Sequence, residues 1–374
     1  MNRIAHYYQR VKNEALSLPP YLRWRRTNMA KALYVGWAGH GNLGDEALFH
    51  AISDLFSARY CFLPSVYANR RTVKHFPGDT DLEMVLLGGG TLIGRSQSYL
   101  NAVNWALASH TAANFIVFGT GVVDADMWEG FGQTTDRKAW AALADRSDYL
   151  SVRGPLSKKH LESWGVQREI KIIGDPALWY ARDTARAKEQ RQRLGLNFGP
   201  SKGKIHGQDE KAVLNFAAHL LQRAYRDGWQ ITLFPMIEID LEYMLEAVAV
   251  AGIPIPTIHR AFLDCVDVLN ALELQDVFIG EKLHSVILAN CVYTPAIMLE
   301  YRTKCRDYML STGQEDLNFR TDRLDIDEVY HTLTLLYDNL KTYQARLSVQ
   351  IQHWKSQLLE AASEVVSLVS KSTE

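Results

Sequence analysis

Leu33-Tyr34-Val35-Gly36-Trp37-Ala38-Gly39-His40-Gly41-Asn42-Leu43-Gly44-Asp45-Glu46-Ala47-Leu48-Phe49-His50 passes from a short apolar strand, through a glycine run, into a helix. Ala32 to Val35 supply the strand. From Asp45 onward, Ala47, Leu48, Ala51, Ile52 and Leu55 recur at helical spacing and give the helix one apolar face. Free amides and the positive end of a helix dipole then meet where glycine lets the backbone approach a ligand, which is an anion-binding arrangement. On this reading Asn42 and Gly44 contact a bound anion, and the rest of the chain is organised around that loop.

By letter, Gly39-x-Gly41-x-x-Gly44 also matches the dinucleotide fingerprint. That fingerprint needs an acidic residue at the end of the second strand, about 20 residues on, to hold a ribose. The next strand candidate, Tyr60 to Tyr67, ends without one.

Composition narrows the class. The chain has 374 residues, 47% hydrophobic and 22% charged, an ordinary globular balance with length for two domains. A net charge of -1 gives no pull toward nucleic acid. Cys61, Cys265, Cys291 and Cys305 are scattered without a C-x-x-C pair, which argues against a zinc framework or disulfide scaffold and fits a reducing compartment. No apolar run approaches the roughly 18 residues of a spanning helix, and the first residues lack a signal-peptide core. These features predict a cytoplasmic protein.

Residues 1–29 form an arm that interleaves Arg3, Arg10, Lys12, Arg23, Arg25 and Arg26 with Tyr7, Tyr8, Tyr21 and Trp24. Such an arm packs on the body or a partner subunit, or meets an anionic membrane surface on the inner face. Residues 30–185 read as an α/β domain with a parallel sheet: strands Ala32–Val35, Tyr60–Val66, Met84–Leu87, Asn114–Phe118, Tyr149–Val152 and Ile170–Ile173 alternate with helical patterns. Ligands in such sheets sit beyond the carboxyl ends of strands. Gly88-Gly89-Gly90-Thr91, Gly119-Thr120-Gly121 and Arg153-Gly154-Pro155 all lie there. Gly89 and Gly90 would allow close backbone approach, and the Arg153 guanidinium would fork onto a phosphate or carboxylate; plain turn chemistry and a salt bridge are the bland alternatives.

A second α/β unit spans residues 190–324. Strand Arg193–Asn197 leads into the glycine-rich run from Phe198 to Gly207 and then a helix near Asp209–Arg226, repeating the opening order. Asn197 and Ser201 are donor-binding candidates, and Lys202, Lys204 and His206 would meet an anion. Further on, Gly280-Glu281-Lys282-Leu283-His284-Ser285 precedes an apolar helix. With residues 281–284 extended, Lys282 and His284 face one way and Leu283 the core. A cation beside an imidazole at a strand end would neutralise an anion and move a proton; a lone histidine is otherwise a satisfied core residue. Residues 325–374 read as helical, with Leu333, Leu336, Leu340, Leu347, Ile351, Leu358 and Leu359 on one stripe. That stripe packs back across the domains or forms a coiled-coil dimer arm.

Three blocks carry a resemblance, in order along residues 32–310. Gly41-Asn42-x-Gly44-Asp45-Glu46-Ala47, Ser151-Val-Arg153 with Gly174-Asp175-Pro176-Ala177, and Leu283-His284-Ser285 followed by Glu300-Tyr-Arg-Thr-Lys304-Cys-Arg306-Asp-Tyr-Met309 resemble the polysaccharide pyruvyl transferase family. One departure is Lys282, where many members have arginine: the charge stays and the bidentate fork is lost. The resemblance implies two Rossmann-like domains facing a cleft, the glycosyltransferase-B architecture. It also implies transfer of the enolpyruvyl group of phosphoenolpyruvate to a sugar as a pyruvate ketal, with phosphate released.

The donor would meet Arg153, Lys282, Leu283, Lys304 or Arg306 and glycine-loop amides; His284 would protonate the methylene carbon, and Asp45 or Glu46 would take the hydroxyl proton. No metal and no cofactor beyond the donor is expected. The partners expected are a glycan or lipid-linked sugar acceptor, an inner membrane surface through the arm, and a second copy of the chain, with no nucleic acid. The alternatives are a nucleotide-sugar glycosyltransferase of the same fold, for which Asp124-x-Asp126, Asp79-x-Asp81 and Asp325-x-Asp327 have weak metal–nucleotide spacing, and a non-catalytic subunit of glycan assembly.

Overall fold

The structure is a computed structural model and describes residues 21–65, 82–185, 190–260 and 264–373. Two parallel sheets carry the fold. The first contains β1 (Ala30–Val35), β2 (Tyr60–Pro64), β3 (Leu82–Gly88), β4 (Thr91–Ile93), β5 (Asn114–Val122), β6 (Tyr149–Val152) and β7 (Lys171–Ile172), in the order β2-β1-β3-β5-β6-β7 with β4 on the end of β5. The second contains β8 (Arg193–Asn197), β9 (Gln230–Leu233), β10 (Thr257–Ile258), β11 (Val277–Gly280), β12 (Ala296–Glu300) and β13 (Asn318–Arg320), in the order β10-β9-β8-β11-β12-β13. β4 and β13 are not foreseen by the sequence reading: three residues are too few to show a period.

Each sheet reverses direction beside its first strand, β1 in one and β8 in the other, and such switch points open crevices at the carboxyl ends of strands. The strands alternate between two buried surfaces. Ala32 and Tyr34, with Leu86 and Phe118, face a core that continues into the second half. Leu33 and Val35, with Leu87 and Val117, face a separate one.

Helices α1 (Leu43–Leu55), α2 (Gln97–Ser109), α3 (Ala125–Gly130), α4 (Arg137–Asp145) and α5 (Pro155–Ser163) connect the first sheet. Helices α6 (Glu210–Arg226), α7 (Glu238–Ala251), α8 (Cys265–Glu273), α9 (Leu283–Cys291) and α10 (Thr303–Ser311) connect the second. The chain ends in α11 (Ile326–Asp338) and the 34-residue α12 (Leu340–Thr373).

α12 returns across both halves. Leu347, Ile351, Leu358, Val365 and Val369 are buried along one stripe. At ~1.5–3 kcal/mol per buried aliphatic side chain, that stripe contributes at most roughly 15 kcal/mol, while Leu359, expected on it, is exposed. Trp354 packs against Gly174, and its Nε1 donates to the carbonyl of Ser311. Lys171 Nζ meets Glu364 at 2.8 Å. The stripe read as a returning tail or a dimer arm is therefore occupied by the chain's own halves.

The first 20 residues of the N-terminal arm lie outside the described residues, as do Val66, Tyr67 and the Asp79-x-Asp81 pair. Residues 21–26 are helical; Trp24 is buried and donates from Nε1 to the carbonyl of Cys61, while Arg23, Arg25 and Arg26 are exposed. Among the described residues no helix is long and apolar enough to cross a membrane.

Candidate active site

The glycine loop after β1 does not leave its amides free. Those of Gly39, His40 and Gly41 donate to Glu46 Oε1 at 2.7, 3.1 and 3.3 Å. Asn42 is the N-cap of α1, and its Oδ1 accepts from the amides of Gly44 and Asp45 at 3.0 and 3.4 Å. The Leu43 amide reaches across to the Met236 carbonyl of the second half at 2.9 Å. A nest built for an anion thus already holds one, the chain's own carboxylate.

The second half repeats the device. Glu210, in the first turn of α6, accepts from the amides of Ser201 and Gly203 at 2.6 and 2.9 Å.

At the cleft, α9 and α10 receive no side-chain cap from their N-cap residues, Lys282 and Arg302. Extended backbone was expected through His284; instead Lys282 is the N-cap and the helix begins at Leu283. Its dipole and first amides then face the cleft with His284 on the first turn. Lys304 holds the same place on α10.

A cleft of about 850 Å³ collects these strand and helix ends. Asn42, Asp45, Gly90 and Arg153 line it from the first half; Ser201, Lys282, Leu283, His284 and Lys304 line it from the second.

Arg153 is almost completely buried. Its Nη2 donates to Thr91 Oγ1 at 2.7 Å. Nη1 lies 3.6 Å from Asp175 Oδ2 and Nε 3.8 Å from Asp307 Oδ2, and neither nitrogen has a hydrogen-bond partner. A Cβ at Gly121 would come within 2.5 Å of the guanidinium, so the glycine makes its berth.

His284 Nε2 lies 3.8 Å from Asp175 Oδ2, closed to solvent and without a hydrogen bond. Nδ1 lies on the Gly44 side, where a Cβ would approach within 2.3 Å. Gly44 is therefore required by the histidine that packs on it.

Electrostatics follow from burial among cations. Desolvation first, then Lys304 and Arg153, hold the His284 imidazole well below its ordinary value, so it rests neutral. Desolvation, then Arg302, Arg95 and Arg153, hold the Lys304 amine well below the usual lysine range. Burial pushes the Asp45 carboxyl up to about 6, against the opposing pull of Arg95 and Lys304. Burial likewise raises Asp175, against Arg153.

Several expected ligands are already engaged by the protein or lie off the cleft. The Lys282 ammonium donates to the carbonyls of Gly199 and Pro200 and to Ser201 Oγ at 3.0, 2.8 and 3.1 Å, which uses all three of its protons on the loop after β8. Asn197 is fully buried, donates to the Phe234 carbonyl and accepts from the Lys282 amide. Gly89 packs against Leu48, Arg306 pairs with Glu300 at 3.2 Å away from the cleft, and Glu46 is held by the loop. Lys204 and His206 also turn away: Lys204 stacks over Trp128, and His206 bonds Glu300 at 3.1 Å. The paired aspartates do not converge on a cation: Asp124 caps α3 and accepts from Thr303, Asp126 pairs with Arg137, and Asp325 caps α11.

The sequence reading missed Arg95, Thr91 and Trp37 on the cleft wall. Asp175 and Asp307 stood in the quoted blocks without a role. Asp307 reaches from α10 to cap α5, accepting from the amides of Leu156 and Ser157 at 2.8 and 3.3 Å and from Ser157 Oγ at 2.5 Å. Nothing in spacing alone joins residues 156 and 307.

Comparison with known proteins fits this geometry. The two-sheet fold resembles UDP-GlcNAc 2-epimerase from Neisseria meningitidis bound to UDP-GlcNAc (TM-score 0.57, 9% identity, covering 91% of this chain and 100% of that one). It also resembles HepE from Anabaena in complex with UDP-glucose (TM-score 0.56, 11% identity, 90% and 99% covered). At such identities the likeness is one of fold, the glycosyltransferase-B arrangement of two Rossmann-like halves. No curated protein sequence matches the chain. The sequence pattern of polysaccharide pyruvyl transferases matches residues 42–303, from the N-cap of α1 through Arg153 and His284 to the first residue of α10. The chain belongs to the polysaccharide pyruvyl transferase family.

Proposed function

We propose that the protein transfers the enolpyruvyl group of phosphoenolpyruvate to a sugar and closes it as a pyruvate ketal. The observation that carries this reading is the gathering of Arg95, Arg153 and Lys304 around His284 and Asp45 in one cleft. Two uncapped helix N-termini add to the same positive field. A small donor with a phosphate and a carboxylate matches that charge.

His284 rests neutral because burial, and then the facing Lys304 and Arg153, disfavour its charged form. A donor that offsets those charges raises the imidazole's affinity for a proton, and Asp175 behind Nε2 steadies the imidazolium. The imidazolium gives its proton to the methylene carbon, leaving C2 electrophilic. A sugar hydroxyl attacks C2 and its proton passes to Asp45, the acid of the Asp45–Glu46 pair whose carboxylate lines the cleft. The C2–O bond to phosphate breaks. A second hydroxyl closes on C2, and its proton leaves with phosphate. One donor and two hydroxyls thus give one ketal and one phosphate.

The nucleotide-sugar alternative needs loop amides for a diphosphate, and carboxylates already hold both glycine loops. The deciding assay is phosphate release from phosphoenolpyruvate across a panel of sugar acceptors, with the product weighed for an added pyruvate. Acceptor-dependent phosphate with that gain supports the proposal. No release, with thermal stabilisation by UDP-glucose, supports the alternative.

The exposed Arg23, Arg25 and Arg26 also support contact of the arm with an anionic membrane surface, the reading that goes with a lipid-linked acceptor in the cytoplasm.

A further inference from the structure

The cleft is not uniform. Its floor is cationic. Its exposed lining carries Trp37 from the loop after β1, the carboxylates Glu238 and Glu242 from the opposite half, and the cations Arg95 and Lys202. Trp37 is 41% exposed, although large aromatics normally bury their area. It is not a loose side chain: its ring lies on the His40 imidazole with centroids 3.9 Å apart and planes 17° apart. His40 is fixed in turn, its amide donating to Glu46. Desolvation lowers the His40 imidazole from its ordinary value, so the pair stacks as two neutral rings. The result is a flat apolar plate, braced from behind and open in front.

We propose that Trp37 is the platform on which the acceptor sugar docks, and that the unit it takes is a pyranose. The identification of the ligand as the acceptor rests on the transferase reading above. A pyranose has one face of C–H groups that covers an indole and a rim of hydroxyls that need acceptors. Glu238 and Glu242 supply carboxylate oxygens at the mouth. A rigid plate also lowers the ordering cost of a weak sugar contact.

The test is direct binding of methyl glucoside, methyl galactoside and methyl mannoside by saturation-transfer NMR, which does not depend on turnover. Phosphoenolpyruvate binding is followed in parallel by thermal shift. The expected result is ring-proton saturation by at least one neutral glycoside, lost on Trp37→Ala and partly kept on Trp37→Phe, with the shift given by phosphoenolpyruvate unchanged in both. If turnover is found, Trp37→Ala should raise the acceptor KM tenfold or more with little change in kcat. Three results would overturn the proposal: no glycoside saturation with the unaltered protein, saturation that survives Trp37→Ala, or equal loss of sugar and phosphoenolpyruvate binding. Sugar binding that obeys these rules without phosphate release would refute the transfer reading and leave the platform standing.

Discussion

His284 and Asp175 face each other across the junction of the two halves, Nε2 to Oδ2 at 3.8 Å, and neither atom has a hydrogen-bond partner. A buried carboxylate behind an imidazole fixes the ring and steadies its charged form. His284→Ala should therefore abolish turnover with the melting temperature nearly unchanged. Asp175→Asn should lower kcat about tenfold to a thousandfold and shift the pH profile of kcat, by the general acid–base range. Gly44→Ala, which drives a methyl group to 2.3 Å from Nδ1, should reproduce much of that loss without touching either residue. Near-normal phosphate release by His284→Ala would remove it from the chemistry.

Glu46 bonds three loop amides through one oxygen. Glu46→Gln keeps the shape and loses the charge. It should cost up to about 1.5–3 kcal/mol of unfolding free energy, the range for hydrogen bonds to a charged group, while kcat falls less than tenfold. Urea denaturation and steady-state kinetics separate the two. A thousandfold loss of kcat at unchanged stability would make Glu46 the base instead.

Asp307 ties α10 to the start of α5 and flanks Arg153. Asp307→Ala leaves the Leu156 and Ser157 amides unpaired and the guanidinium with one carboxylate fewer. Breaking a buried charged network of this kind costs about 3–5 kcal/mol. A denaturation midpoint equal to that of the unaltered chain would show that the junction does not depend on it.

Asp45 gives a pH dependence with a definite sign. Its carboxyl titrates at about 6 in the folded protein against 3.8 ordinarily, so the folded state binds the proton more tightly. This group's contribution to stability is full below the unfolded value and is lost as pH rises to about 6. Asp45→Asn should be more stable than the unaltered protein above pH 6 by thermal melting, and the two should converge near pH 4. Phosphoenolpyruvate should also bind more weakly as Asp45 ionises, and that trend should flatten in the variant. Parallel pH profiles for both proteins would place the charge elsewhere.

Much of the fold is local in its causes, and the sequence alone carried it. Apolar runs such as Met84–Leu87 and helical spacings such as Ala47, Leu48, Ala51 and Ile52 mark strands and helices one element at a time. Their alternation requires parallel sheets with covered faces. The strand-to-helix loop and the order of the three blocks likewise named the family and brought Arg153, His284 and Lys304 into view. What only the tertiary structure decided is which groups are still free. The loop amides after β1 look unclaimed until Glu46 folds back onto them, and Lys282 looks like a donor ligand until the Gly199–Ser201 loop takes its ammonium. Asp307 and Asp175 acquire roles only when residues 150 and 109 positions away meet them. Hydrogen-bond capacity is finite and is shared among neighbours in space. Sequence therefore specifies the residues that own donors and acceptors, and packing decides which of them are left for a ligand.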